Sequence, residues 1–258
     1  MAEGDTIRRT ARRIEAAVGG QDLSVIAGNG RGRAAGVERL DGRRLERVEA
    51  RGKHLLFHFG DLVLHSHLGM SGSWRAYRHG ERWAKPASAA WVVLRGDRFE
   101  AVQFSGPTLR VLGRAKLSND PTLSRLGPDI LAPRFDESAA IASLRQSPAH
   151  ELGEALLDQR LITGIGNIFK SEACFAARAD PWRSIAAHSD EELRGTLSAA
   201  RRLMRDSAAR GRADPAVYRR AGRPCPTCGT PIAARGQGDA NRRTYWCPRC
   251  QTGASRAK

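Results

Sequence analysis

Apolar positions change period along this chain, and each change marks a candidate structural boundary. Between residues 2 and 18, Ile7, Ala11, Ile14 and Val18 recur at helical spacing while Arg8, Arg9, Arg12 and Arg13 fall on the opposite face. That pattern predicts an amphipathic helix, capped by Asp5. From about 22 to 118 the signal shortens to alternating or apolar runs: Leu45 to Ala50, His54 to Phe59, Leu62 to His67, Trp91 to Leu94 and Phe99 to Phe104. Many short strands separated by turn residues predict a β-sandwich or barrel, so an N-terminal domain is expected over 1–118. Prolines at 121, 128 and 133 interrupt every regular pattern between 119 and 135, where a linker is expected. Helical periodicity then returns over 137–146, 151–161, 167–177 and 190–210, which predicts a helical domain at 136–220. In the last helix Leu193, Leu197, Ala200 and Met204 make one apolar stripe that reads as core.

The remaining stretch, 221–258, has too few apolar residues to hold a fold by burial, and its end beyond Gln251 is expected to fray. It carries instead Cys225-Pro-Thr-Cys228 and Cys247-Pro-Arg-Cys250, four of the five cysteines in the chain, with 18 residues between the pairs. Two thiolates three positions apart on a tight turn reach one tetrahedral ion, and a loop of this length closes as a small hairpin, so one structural Zn2+ is expected. The loop and its flanks hold Arg223, Arg235, Arg242, Arg243 and Arg249 against one acid, Asp239. A metal-pinned basic hairpin suits phosphate. The odd cysteine, Cys174, reads as a buried helix residue.

Charge narrows the partner. The formal balance over 258 residues is +16, which points to a polyanion, either nucleic acid or an acidic membrane surface. No run of 18 apolar residues, signal-peptide pattern or lipidation motif supports the membrane, so a soluble cytoplasmic protein is expected. Only Lys53, Lys85, Lys116, Lys170 and Lys258 are lysines among 43 basic residues, so where lysine stands it can serve a purpose that arginine cannot.

Two stretches invite chemistry. Gly164-Ile165-Gly166-Asn167 lies between two predicted helices, where a glycine-rich turn exposes backbone N–H groups to an anion and Asn167 can cap the helix and bond a phosphate oxygen. A plain helix–turn–helix corner fits the same residues. At the start of the chain, a small second residue permits removal of Met1, leaving an α-amine on Ala2. Such an amine has a pKa of about 8 against about 10.4 for lysine, so part of it is unprotonated and nucleophilic at neutral pH. It can form a Schiff base at an electrophilic sugar carbon if an adjacent acid, here Glu3, protonates the ring or departing oxygen. A solvated terminus before a helix is the plainer reading of the same two residues.

The opening Glu3-Gly-Asp-Thr6, the runs Arg51-Gly-Lys-His54 and His67-Leu-Gly-Met-Ser-Gly72, the pair Leu156-Leu-Asp-Gln159 and Gly164-Ile-Gly-Asn-Ile168, and the closing Tyr245-Trp-Cys-Pro-Arg-Cys-Gln251 occur in that order. Together they closely resemble the formamidopyrimidine-DNA glycosylase and endonuclease VIII family of base-excision repair enzymes, over essentially the whole chain. The resemblance implies an α+β multidomain fold with an N-terminal β-sandwich, a helical helix-two-turn-helix domain and a C-terminal zinc-finger hairpin. It implies a monomer acting on damaged double-stranded DNA. It also assigns roles: Ala2, at the position normally held by proline, as the nucleophile at C1′; Glu3 as the acid at the ring oxygen; and Lys53 as the cation at the lesion or its flanking phosphate. Met70 would fill the space left by a flipped base, Asn167 would bind phosphate, and Arg242 would be the arginine of the zinc hairpin. On the residues alone, Met70 reads as core and Lys53 as a solvated charge at a strand end.

This chain departs from the family pattern in ways that bear on substrate. A primary amine on Ala2 gives an imine that must itself be protonated before elimination, whereas proline gives a cationic iminium at once. Thr6 stands where many relatives carry a second acid, and Phe104-Ser-Gly-Pro-Thr-Leu-Arg110 lacks the Arg-Arg-Phe run used by members specific for oxidised purines. Oxidised pyrimidines or abasic sites are therefore the expected substrates. Two other readings stay open on the residues: a non-catalytic damage-binding paralogue and a zinc-ribbon nucleic-acid-binding factor.

Overall fold

A computed structural model describes residues 2–251; Met1, whose removal the reading of Ala2 requires, and the tail 252–258, expected to fray, lie outside the described residues. The chain divides into two compact units, Met1–Arg125 and Leu126–Lys258. The proline-rich stretch expected as a linker is shared between them. Asp120 pairs with Arg110 in the first unit at 2.7 Å, while Ile130 and Leu131 join the core of the second. Among the described residues no helix is long and apolar enough to cross a membrane.

The first unit opens with helix α1 (Gly4–Val18), whose Ile7, Ala11, Ile14 and Val18 are buried. Asp5 is not its cap: the N-cap is Glu3 in extended conformation, and Asp5 sits buried in the first turn. The strands follow as β1 (Asp22–Ala27), then the short helix α2 (Gly30–Ala34), β2 (Arg43–Arg44), β3 (Arg47–Arg51), β4 (His54–Phe59), β5 (Leu62–His67), β6 (Ser73–Arg78), β7 (Ala90–Arg95), β8 (Phe99–Phe104) and β9 (Thr108–Gly113). They form two antiparallel sheets, ordered β2-β1-β7-β8-β6 and β3-β4-β5-β9. One core cluster takes Leu55, Phe57 and Phe59 from the second sheet, Leu23, Val25, Val92 and Leu94 from the first, and the apolar stripe of α1. That is a sandwich, with each fully buried Leu or Phe contributing about 1.5–3 kcal/mol.

The second unit is helical with a hairpin: α3 (Glu137–Arg145), α4 (Leu152–Ala155), α5 (Asn167–Ala176), α6 (Asp190–Arg210), β10 (Ala233–Gln237) and β11 (Arg242–Trp246). The stripe Leu193, Leu197, Ala200 and Met204 is buried in its core, as its spacing predicts. A capping box of Ser189 and Glu192 starts α6, and Gly211 at φ +84° ends it. The helix expected over 151–161 is the correction here, because α4 stops at Ala155. Asp158 and Gln159 cause the stop, since their side chains bond the backbone of Arg160, Leu157, Gly164 and Ile165 and turn the chain toward the glycine corner.

Candidate functional site

In the first unit the sequence-predicted residues gather around the start of α1 and the loop after β5. Glu3 is 1% exposed, and its N-cap position places the carboxyl at the positive end of the helix. Ala2 is half-buried against the sandwich core and lines a cavity of about 900 Å³ that Thr6, Leu68, Met70 and Gly72 also line. Met70 is 74% exposed on the tip of its loop. The loop is tight, with Gly72 donating to the Leu68 carbonyl at 2.8 Å, and a Cβ at Gly72 would meet that carbonyl at 2.5 Å. The structure thus brings Ala2 and Met70 to one cavity. The sequence gives no periodic signal for either.

Lys53 is placed differently, in the two-residue turn Gly52-Lys53 that joins β3 to β4, where Arg51 pairs with His54. Beneath it lies a buried line that pattern reading missed. Arg110 donates to His65 Nδ1 at 3.2 Å and pairs with Asp120 at 2.7 Å, while His65 Nε2 and His54 Nδ1 are 2.9 Å apart. A guanidinium can only donate, so His65 holds its proton on Nε2 and passes a hydrogen bond to His54. The His54 ring lies 4.6 Å from that of His67. Burial pushes the His54 pKa down to about 3 and that of His65 to about 4, so both rings are neutral. His67 is lowered too, by burial and then by the Lys53 ammonium. The line became visible only with strand register, which sets His54 opposite His67 and His65 opposite Arg110.

In the second unit Asn167 opens α5 directly after Gly166, and Gly164 has φ +104°, a backbone conformation that disfavours side chains. Gln159 braces this corner by accepting from Gly164 N at 3.0 Å and donating to the Ile165 carbonyl at 3.1 Å. Asn167 Nδ2 donates to the Arg243 carbonyl at 2.9 Å. Its buried Oδ1 has no hydrogen-bond partner among the described residues. Flipping the amide would set two acceptors against each other, so Nδ2 keeps the carbonyl. Arg242, the next residue back, is exposed at the start of β11.

The four predicted ligands converge. The Sγ atoms of Cys225, Cys228, Cys247 and Cys250 all lie within 4.8 Å of one another, with 3.9 Å between Cys225 and Cys250 and 3.4 Å between Cys228 and Cys247. A tetrahedron of zinc–sulfur bonds puts sulfurs about 3.8 Å apart, so the donor set fits a metal ion. Backbone N–H groups of Thr227 and Cys250 approach Cys225 Sγ and Cys247 Sγ at 3.4 Å, as thiolates accept them. Cys174 is fully buried and burial pushes its thiol up to about 12, so it is inert.

Comparison with known proteins addresses each part of this arrangement. Residues 1–114 match the formamidopyrimidine-DNA glycosylase N-terminal domain, 126–215 the formamidopyrimidine-DNA glycosylase H2TH domain, and 222–253 the zinc finger found in FPG and IleRS. A probable endonuclease 8 2 of Streptomyces coelicolor is 39% identical, across 98% of this chain and 95% of its own length. The chain belongs to the formamidopyrimidine-DNA glycosylase and endonuclease 8 family. Within that family, a DNA-(apurinic or apyrimidinic site) lyase of Mycolicibacterium smegmatis is 34% identical over 98% of this chain and 99% of its own. A formamidopyrimidine-DNA glycosylase of Thermus thermophilus is also 34% identical, over 97% and 98%. The fold matches that of the Lactococcus lactis formamidopyrimidine-DNA glycosylase, solved non-covalently bound to DNA containing an abasic site, with a TM-score of 0.83 at 22% identity over 97% of this chain and 99% of that one.

Proposed function

We propose that this family member is a DNA glycosylase and abasic-site lyase that flips and excises oxidised bases, pyrimidines before purines, and cleaves abasic sites through a Schiff base. The observation that carries the reading is the shared cavity of Ala2 and Met70, with the buried Glu3 carboxyl next in the chain to the Ala2 amine. Once Met1 is removed, the Ala2 nitrogen attacks C1′ of the flipped nucleotide and the glycosidic C–N bond breaks, its electron pair leaving with the base, which takes a proton. Glu3 protonates the ring oxygen as the C1′–O bond opens, and the amine loses its protons to leave an imine. Protonation of that imine then permits loss of a C2′ proton and departure of the 3′ phosphate with the C3′–O electrons.

The other named residues hold the duplex in this reading. Flipping costs a few kcal/mol of unstacking, and the exposed thioether of Met70 fills the gap. Lys53 offers its charge to the lesion or the phosphate beside it, and Asn167 and Arg242 take phosphates of the duplex. Cys225, Cys228, Cys247 and Cys250 hold one zinc ion whose contribution is structural, since four thiolates leave no open position. The partner is damaged double-stranded DNA, bound by a monomer at the chromosome in the cytoplasm. The absence of the Arg-Arg-Phe run favours pyrimidine lesions, and the present structure uses Arg110 internally on His65 and Asp120.

Borohydride trapping on a duplex with one abasic site tests the reading. A covalent adduct mapped by peptide mass spectrometry to residue 2 is expected; tight binding without an adduct would mark a non-catalytic damage binder, the second reading that alanine in place of proline keeps in view. Intact mass supplies the first check, because a retained Met1 displaces the reactive amine by one residue.

A further inference from the structure

Among the described residues Lys170 is the lysine that is fully buried, in a chain that builds most of its positive charge from arginine, and it stands one turn after Asn167 on α5. Its ammonium donates to Thr244 Oγ1 at 2.6 Å. With its lone pair engaged, the Thr244 hydroxyl sends its single hydrogen to Gln237 Oε1 at 2.5 Å. That fixes the Gln237 amide as a double donor, to Glu151 Oε2 and to the Pro181 carbonyl, each at 2.8 Å. Every direction in this line is determined, and it runs from a cation to a carboxylate. Lys170 and Thr244 are 0% exposed and Gln237 is 5% exposed, so an unmade bond here has no water to replace it. A guanidinium, with five donors in a planar fork, could not take the place of the ammonium.

The line crosses both strands of the metal hairpin, since Gln237 ends β10 and Thr244 lies in β11. It sits inside a docking of helix on strand in which three consecutive hairpin residues meet α5. Asn167 Nδ2 takes the Arg243 carbonyl at 2.9 Å, Lys170 takes Thr244, and Ser171 Oγ accepts from Tyr245 N at 3.3 Å. A slip of β11 by one residue would bring Arg243 or Tyr245 to the buried place of Thr244. The hairpin tip is seated as tightly, because a Cβ on Gly153 would meet Gln237 Oε1 at 2.2 Å. The cysteines fix the far end of β11, five residues beyond Arg242, and nothing in their geometry sets where Arg242 lies against the glycine corner.

We propose that Lys170 is a positioning residue: through Thr244 and Gln237 its buried ammonium sets the register of the metal hairpin on α5, and with it the spacing of Arg242 from Asn167. The inference rests on the reading that these two residues grip phosphates. The test is binding of the full metal-loaded chain to a duplex with a tetrahydrofuran abasic analogue and to its matched duplex, followed by fluorescence anisotropy. Lys170→Met and Thr244→Val are expected to keep one zinc per chain yet bind both duplexes about tenfold more weakly, while Thr244→Ser, which keeps the hydroxyl, restores binding. Because Lys170 acts through Arg242, the double variant Lys170→Met/Arg242→Ala should bind no more weakly than Arg242→Ala alone.

Wild-type binding by Lys170→Met and Thr244→Val, or independent addition of the two losses in the double variant, would overturn the inference. If Lys170→Met does not fold, Thr244→Val against Thr244→Ser carries the same comparison. A wild type that grips both duplexes equally would remove the damage reading and leave Lys170 still tested on the matched duplex, because phosphate grip is independent of the lesion. A wild type that binds neither duplex overturns both.

Discussion

Ala2 and Asn167 belong to parts of the molecule built on opposite plans. In the proposed reading, the chemistry around Ala2 hangs on single groups carried at the start of the chain and on loops over an apolar sandwich: one amine, one buried carboxyl, one exposed thioether. Around Asn167 no group is reactive, and the arrangement is held by many bonds at once, from Gln159 inside the corner to Lys170 on α5 and Thr244 and Gln237 in the hairpin. The difference teaches which kind of damage each tolerates. A site made of single groups loses its reaction with one atom and keeps its fold; a grip made of shared bonds weakens in steps, and loses most when the metal that closes it is taken away.

The largest effect is therefore expected at the first site. Glu3→Gln removes the proton donor without a change in shape, and single-turnover excision should fall by about a thousandfold while affinity for an abasic duplex stays near wild type. An equal fall in both would show that Glu3 builds the site and does not act in the reaction. Removing the metal should break the comparison from the other side. The core of the hairpin is little more than Val217, Ile232 and the cysteines themselves, so a chelator should unfold it. Duplex affinity should then drop by about a hundredfold, while the unfolding midpoint of the sandwich does not move. Circular dichroism together with anisotropy would show if the two units instead fail together.

Proton linkage should separate the units more gently. His54 and His65 sit near 3 and 4 against an ordinary value of 6.5, so below that value the unfolded chain takes up protons that the folded chain refuses. Their contribution to stability is complete above about pH 6.5 and is lost as the pH falls toward the folded values, with a slope of about 1.4 kcal/mol per pH unit for each ring. The charges facing them are Arg110, Asp120 and, through His67, Lys53. Glu172 in the second unit works in the opposite sense, since burial raises its carboxyl. Urea unfolding of wild type and His65→Gln between pH 6.5 and 5 isolates one ring. The variant should be flatter by about one such slope, and parallel curves would refute the neutral line.

How far each plan could be read in advance follows from the same contrast. The helix Asp190–Arg210 announced itself by its stripe, and the β-strands by short apolar runs between turns. The cysteines did so by spacing and Asn167 by the glycines before it. Elsewhere local pattern was outvoted. Asp5 has the chemistry of a cap, but the chain enters α1 two residues earlier in extended form at Glu3, whose burial no propensity predicts. Residues 157–161 continue the helical pattern, yet Asp158 and Gln159 bond the backbone of Arg160, Leu157 and Gly164 and turn the chain away from a longer α4. Lys170 stood out as a rare lysine, but its role needed the register of β11 against α5, which is set by residues more than seventy positions away. Alanine before a helix and methionine in a loop carry no periodic pattern: residue chemistry could point to the Ala2 amine, but Met70 read as core where the structure has it 74% exposed, and only the family resemblance drew notice to it.

The smallest expected effects compare the two plans most directly, because they differ in kind. Arg242 is an exposed cation beside a proposed phosphate contact, so Arg242→Ala should release about one counterion fewer on binding and lower the log–log salt slope by about 0.9. Its preference for a damaged over a matched duplex should stay as in the wild type, since a phosphate contact carries no information about the base. Met70→Ala should do the reverse: the slope stays, because no charge is lost, while preference for the flipped-base duplex falls by about fivefold as the gap in the stack is left unfilled. Two titrations at four salt concentrations on two duplexes decide it. Should Met70→Ala alter the slope and Arg242→Ala the preference, recognition and grip would share one set of residues, and the division between a reactive unit and a holding unit would have to be given up.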